Sequence, residues 1–261
     1  AVNADFFLIP AGTPTGTHVE GGEVLIGPGA RPVFAAAADV AWMGPARLEG
    51  GVVRGRDTLA LGQVNRVEGE GAGAVVLLTH WFGARTPGDS AALQVVVRRT
   101  RGRPAARAGV VTAVDSAGTA LDLDTTRVVF AARGEGRAAL AHLAVGDTVT
   151  WWSAVVPEGG SQGARRAAEV AVGGFPRLLR AGRPAADSGT VVRPEFGERR
   201  HPRTAVGVTR DGRLLLVVVD GRQEPYSAGM TLPVLAWLMS LLGAEEALNL
   251  DGGGSTAMVV E

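Results

Sequence analysis

The chain lacks cysteine and lysine altogether. Without cysteine there can be no disulfide, no thiolate metal site and no Cys nucleophile. Without lysine, each of the 26 basic residues is an arginine, and 26 acidic residues bring the net charge to zero. Alanine, glycine and valine abound, so the arginine bias reads as high-GC coding rather than a functional choice. Planar guanidinium forks nonetheless suit phosphate and carboxylate. No long basic run is present, which removes nucleic acid as an expected partner. No apolar run approaches the length of a membrane span. No basic n-region with an apolar h-region opens the chain, and residue 1 falls inside what reads as a strand. The expectation is a chain that starts downstream of a signal or other segment. No His/Asp/Glu cluster has recognised metal-ligand spacing, so neither a metal nor a cofactor is expected.

What is present suffices for a sizeable core: 261 residues, 46% of them hydrophobic, as one large domain or one domain with an insertion. Most elements are short β-rich runs broken by Gly and Pro. Residues 24–26, 33–38, 74–79 and 93–98 read as strands, and 109–114, 120–124 and 128–131 as a second group. A helix at 138–143 and a strand at 148–155 follow. Residues 102–156 thus predict a small β subdomain within a domain spanning 1–261, closed by a Gly-rich stretch at 157–163.

The C-terminal third is more regular. Residues 204–209 and 214–220 flank Arg210-Asp211-Gly212, a hairpin signal. Leu232, Leu235, Ala236, Met239 and Leu242 recur at i, i+3, i+4 spacing and predict a helix over 232–242. Thr231 is its N-cap, Pro233 sits in its first turn and Gly243 ends it. Residues 247–250 and 257–260 read as the last strands. The expected fold class is α+β: a β-rich mixed sheet core with few helices and a small inserted β subdomain.

The chemistry concentrates at strand ends. Asn249-Leu250-Asp251 runs into Gly252-Gly253-Gly254-Ser255, where glycines leave main-chain N–H groups open to an anion. A serine hydrolase fits poorly, because no His follows Ser255 as the acid-then-His order requires. His18, His80, His142 and His201 are scattered and read mostly as structural. Asp122 and Asp124 share a strand face, which a solvated edge explains as well as a cation does. If the hairpin pairs antiparallel, Arg203 and Asp220 lie near one end. A crossover through the helix then brings Asp251 towards Asp220. Two carboxylates, Arg203, Arg222 and an amide-rich loop suit cleavage of a bond beside a phosphate.

Several segments together resemble the phosphodiester glycosidase family. They are Val2-Asn3-Ala4-Asp5-Phe6-Phe7, Val64-Asn65-Arg66, Gly173-Gly174-Phe175-Pro176-Arg177-Leu178, Pro202-Arg203-Thr204-Ala205-Val206-Gly207, Val219-Asp220-Gly221-Arg222, Ser227-Ala228-Gly229-Met230-Thr231-Leu232 and Asn249-Leu250-Asp251-Gly252-Gly253-Gly254-Ser255. Residues 102–156 match only in style. The resemblance implies hydrolysis of a sugar-1-phosphodiester or phosphoglycan, releasing the sugar and leaving a phosphomonoester. On that basis Asp220 and Asp251 are the candidate catalytic carboxylates. Arg203 and Arg222, with Gly252, Gly253, Gly254 and Ser255, would hold the phosphodiester. Asn3 and Asn249 would orient sugar hydroxyls, and Thr204 and Ser227 complete the candidate substrate-binding set. Phe6 and Phe7 are a possible sugar platform, with core packing expected of at least one. Where the family commonly has Glu after Thr-Leu-x, this chain has Val234; that Glu either serves catalysis or caps the helix. The family's bacterial members are mostly secreted or wall-associated, which is the expected location. The rival classes are a non-catalytic glycan-binding module, a metal-assisted phosphodiesterase, and a structural domain in which Arg203, Asp220 and Asp251 pair with one another.

Overall fold

The computed structural model describes residues 1–9, 12–38, 40–67, 73–100, 107–159, 166–185 and 193–260. Residues 102–106 of the expected subdomain and 160–163 of the stretch expected to close it lie outside them. The chain divides into two compact units, one of Ala1–His18, Ala30–Ala46 and Pro157–Glu261, the other of Val19–Gly29 and Arg47–Val156. The fold is α+β with β dominating.

The second unit is built on a closed barrel of seven strands. Their order is Leu93–Arg99, Ala108–Asp115, Thr148–Pro157, Ala46–Arg54, Asp57–Val64, Val75–Leu78 and Arg127–Ala132. Asp57–Val64 and Val75–Leu78 run parallel, in a barrel otherwise dominated by antiparallel pairs. β-Branched residues suit this surface, and Val95, Val97, Val128 and Val129 are fully buried. Helix α1 (Gly134–Leu140) starts four residues before the expected helix. Tertiary packing explains the difference. A Cβ on Gly136 would lie 2.1 Å from the Gly73 carbonyl oxygen, so a poor helix former is needed where the helix meets that backbone. Residues 120–124 are not a strand; one bridge, Arg85 to Asp122, is all the pairing they make. Asp122 and Asp124 each face a guanidinium, at 3.0 Å from Arg85 and 3.0 Å from Arg127.

The first unit stacks three layers. Its central sheet has the order Arg183–Pro184, Arg177–Arg180, Ala244–Asn249, Arg203–Thr209, Leu214–Val219. The expected hairpin is present, with Arg203 opposite Val219 and Val208 opposite Leu214. Alternation sends successive side chains to opposite faces. Ala205, Ala247 and Leu179 pack against Leu235, Ala236 and Met239 of helix α3 (Leu232–Leu241). Val206 and Leu248 pack on the other face against Phe34 and its neighbours, from the sheet Val33–Ala37, Val40–Gly44 and Val170–Gly173. Each fully buried aliphatic side chain contributes about 1.5–3 kcal/mol. Gly207 admits the helix, since a Cβ there would sit 2.6 Å from Met239 Cε.

Helix α3 matches the expectation closely. Thr231 Oγ1 accepts the Val234 N–H at 3.4 Å, Pro233 lies in the first turn, and Gly243 leaves the helix at φ +88°. Residues 257–260 are not a strand. They meet the opposite end of the chain through a single bridge, Val2 to Met258, extended by Ala1 N to Val259 O at 2.5 Å and Val259 N to Ala1 O at 2.8 Å.

Candidate active site

Antiparallel register brings the candidate residues to one end of the central sheet. Arg203 starts the strand that lies between Leu214–Val219 and Ala244–Asn249, opposite Val219 on one side, and Ala205 lies opposite Asn249 on the other. Asp220 therefore leaves one flanking strand where Asp251 leaves the other, with Arg203 between them. Strands one place removed are about 9–10 Å apart.

The residues at this end fall into two sets. The first lies beneath the surface. Arg203 is 1% exposed. Its Nε donates to the Met230 carbonyl at 3.0 Å, and its Nη2 to the Phe196 and Arg199 carbonyls at 2.6 and 3.1 Å. The guanidinium carbon stands 5.2 Å from the Phe196 ring centroid, within cation–π range. Burial, and then the nearby charge of Arg222, pull the Arg203 pKa down to about 10, which leaves it charged at neutral pH. Only Nη1 remains to meet a ligand. Thr204 is fully buried and donates to Asn3 Oδ1 at 2.6 Å. Asn3 also accepts from Ala257 N at 3.1 Å and donates to the Asp251 carbonyl at 2.8 Å. Asn249 is 1% exposed, and its amide donates to the Phe175 and Leu250 carbonyls at 2.7 and 2.9 Å, while its Oδ1 is buried without a partner.

Against expectation, then, Thr204 and Asn249 lie under the site rather than on it, because their polar groups anchor main chain and loop ends. The chain has three asparagines, and Asn65 does the same in the other unit. It donates to the Leu25 carbonyl and Thr79 Oγ1 and accepts from Thr79 N. Phe6 packs edge-on against Phe196 with centroids 5.9 Å apart, whereas Phe7 is 46% exposed. Asp5 turns its carboxylate inward, accepting from Phe6 N at 2.7 Å and Gly16 N at 2.5 Å.

The second set faces outward. Asp220 is exposed; Tyr226 Oη donates to its Oδ2 at 3.3 Å. Ser227 serves the turn, its hydroxyl donating to the Asp220 carbonyl at 2.6 Å and accepting from Gly229 N at 3.3 Å. Asp251 is half-buried, with Oδ1 accepting from Gly252 N at 2.9 Å. Gly253 takes φ +62° and Arg222 lies against it; a Cβ there would be 3.3 Å from Arg222 Nη2. Arg222 itself holds φ +58°, a region that costs a non-glycine residue roughly 1–3 kcal/mol and so marks a conformation imposed by its surroundings. Among the described residues no carboxylate ion-pairs with Arg222, nor does Arg203 pair with Asp220 or Asp251.

The Gly-rich loop is less open than its composition suggests. Gly252 N donates to Asp251, Gly253 N to the Pro202 carbonyl at 3.0 Å, and Ser255 N to the Gly252 carbonyl at 3.2 Å. Within Gly252–Ser255 the Gly254 amide alone is without a protein acceptor among the described contacts, and the space beside its Cα is open. Two participants escaped the sequence reading. His201 Nδ1 lies 3.0 Å from Arg222 Nη2, and Tyr226 faces Asp220. The signal for His201 was its place directly before Pro202-Arg203, at the same strand end. Among the described residues no group of three or more His, Asp or Glu side chains comes together as a metal site would require.

The phosphodiester glycosidase family model matches residues 100–261. Among curated proteins, the SPbeta prophage-derived uncharacterized protein YomE of Bacillus subtilis (strain 168) is 42% identical over 62 residues, 24% of this chain and 10% of its own. A hypothetical protein from Synechocystis has a similar structure, with TM-score 0.71 and 25% identity over 100% of this chain and 47% of its own. A "Putative exported protein" from Burkholderia pseudomallei K96243 follows, with TM-score 0.66 and 24% identity over 99% of this chain and 60% of its own. This chain therefore spans about half the length of these two solved relatives, and its match to the curated one covers a tenth of that protein.

Proposed function

This chain belongs to the phosphodiester glycosidase family, and from that premise we propose that it hydrolyses a glycosyl-1-phosphodiester at the bond between the anomeric carbon and the bridging oxygen. Water supplies the new anomeric hydroxyl, and the bridging oxygen leaves with the phosphate as a phosphomonoester. One observation carries the reading. Arg222 is an exposed cation without a carboxylate partner among the described residues, set against a loop with an unused amide at the sheet end where Asp220 and Asp251 leave their strands. An anion binds such a corner, because charge-assisted hydrogen bonds to a phosphate replace those to water.

In this reading Arg222 and the Gly254 amide hold the phosphate, with Ser255 beside them and Arg203 supporting from below through Nη1 and its charge. Asp251 and Asp220 act at the anomeric carbon, one as nucleophile or base and the other as stabiliser or acid. Phosphate is a fair leaving group, so acid assistance is the lesser need. The substrate is a sugar-1-phosphodiester on a glycan or wall polymer, and the site of action is secreted or wall-associated. In support, one structural relative is described as exported.

Incubation with sugar-1-phosphodiesters, α-N-acetylglucosamine-1-phosphate esters first, in oxygen-18 water tests the reading by mass spectrometry. Label is expected in the anomeric hydroxyl of the released sugar. Label in the phosphate would mean P–O cleavage and overturn the carboxylate roles. Binding without any product would make the chain a glycan-binding module.

A further inference from the structure

His201 is held at both ring nitrogens. Nδ1 lies 3.0 Å from Arg222 Nη2, and Nε2 lies 3.1 Å from the Glu195 carbonyl oxygen. A guanidinium only donates and a carbonyl only accepts. Nδ1 must therefore accept and Nε2 must donate, which is satisfied by one state of the ring: neutral imidazole with its proton on Nε2. Adding a second proton would remove the Nδ1 acceptor and set an imidazolium against a guanidinium at contact distance.

The ring's base is fixed, since His201 N donates to the Met230 carbonyl at 3.2 Å and Met230 N to the His201 carbonyl at 3.0 Å. The groups bonded to the imidazole are Arg222, from the loop after Leu214–Val219, and the Glu195 main chain, from α2 (Pro194–Gly197). Arg203, two residues along the chain, adds positive charge close enough to Arg222 for the latter to lower its pKa. No carboxylate among the described residues ion-pairs with His201 to favour its charged form. Arg222 thus has its place set by a neutral acceptor rather than by an anion, and its own charge remains available to a ligand.

We propose that His201 is a positioning residue: as a neutral imidazole it holds the Arg222 guanidinium against the Gly253 loop, and its protonation releases that guanidinium, so that affinity for the substrate phosphate falls in acid. The inference rests on the reading that Arg222 meets the phosphate.

Kinetics across pH, together with nitrogen-15 NMR of the histidines, test it. KM of the wild-type protein is expected to rise roughly tenfold between about pH 8 and pH 5, the range in which histidine charges, with kcat changing less. His201→Gln keeps an oxygen to accept from Arg222 and an amide to donate to Glu195 but cannot be protonated, so its KM should stay flat over that range. His201→Leu should raise KM at every pH. An acid rise in KM retained in His201→Gln, or a wild-type KM in His201→Leu, overturns the proposal. The spectra need no substrate. They should show His201 with its proton on Nε2. A proton on Nδ1 overturns the pairing whatever the activity. The expected tautomer in a protein that turns over no sugar phosphodiester would sink the proposed reaction and the KM claim, and leave the His201–Arg222 pair standing.

Discussion

Two arginines nineteen positions apart show how differently the same charge is used at one sheet end. Arg203 is buried, lies over Phe196 and is bonded to three carbonyls; Arg222 is exposed and lies against a histidine and a glycine loop. The comparison extends to their neighbours. Asn249 and Asn3 bond main-chain groups and Thr204 bonds Asn3, whereas Asp220, Asp251 and the Gly254 amide face outward with hydrogen-bonding capacity left over. A donor already saturated inside the protein has little to offer a ligand. The lower layer therefore maintains the shape of the site, and the upper layer is where chemistry is expected.

The sharpest way to test that division is Asp251→Asn. It keeps an oxygen for the Gly252 amide but loses the charge, so kcat should fall about 10²–10⁴-fold while folding stability changes by less than about 0.5 kcal/mol. Unchanged turnover would remove Asp251 from the chemistry. Arg203→Met attacks the other layer. It leaves the carbonyls of Met230, Phe196 and Arg199 short of a donor, and the expected loss is about 2–4 kcal/mol, read as a fall in Tm of several degrees. A protein of wild-type Tm with only a raised KM would mean that Arg203 belongs with the rim. The smallest effect is expected from Val234→Glu. Position 234 is the third residue of α3, 44% exposed, from which a Glu folds back on the N-cap and meets the positive end of the helix. Stability should rise by about 0.5 kcal/mol with turnover unaltered. A marked gain in turnover would place this position in the reaction.

Local rules made the C-terminal third legible. The Asp211-Gly212 turn set the hairpin register, the 3.6-residue period marked α3, and antiparallel geometry then put Asp220 and Asp251 at one end. The barrel was harder to read, because its closure depends on pairing between strands far apart in sequence, including the parallel pair of Asp57–Val64 with Val75–Leu78. Period-2 patterns identify such strands without naming their partners. In the site, residue types and strand ends were readable, but the fate of each polar group was not. Nothing in Pro202-Arg203-Thr204 says that the carbonyls of Phe196, Arg199 and Met230 converge on one guanidinium. The glycine run suggested open amides, yet its own turn uses most of them. His201 was passed over because a lone histidine has no periodic partner, although it shares the strand end with everything else.

The zip between Ala1 and Val259 has a consequence for how the loop beyond Asp251 is held. Asn3 reaches Thr204, Asp251 and Ala257, so the turn that follows Asp251 is tied to a residue 248 positions before that carboxylate. Contacts of such sequence separation close late. The local hairpin of Arg203–Thr209 and Leu214–Val219 therefore closes before this tie does, and the loop beyond Asp251 is the last part of the sheet end to lock.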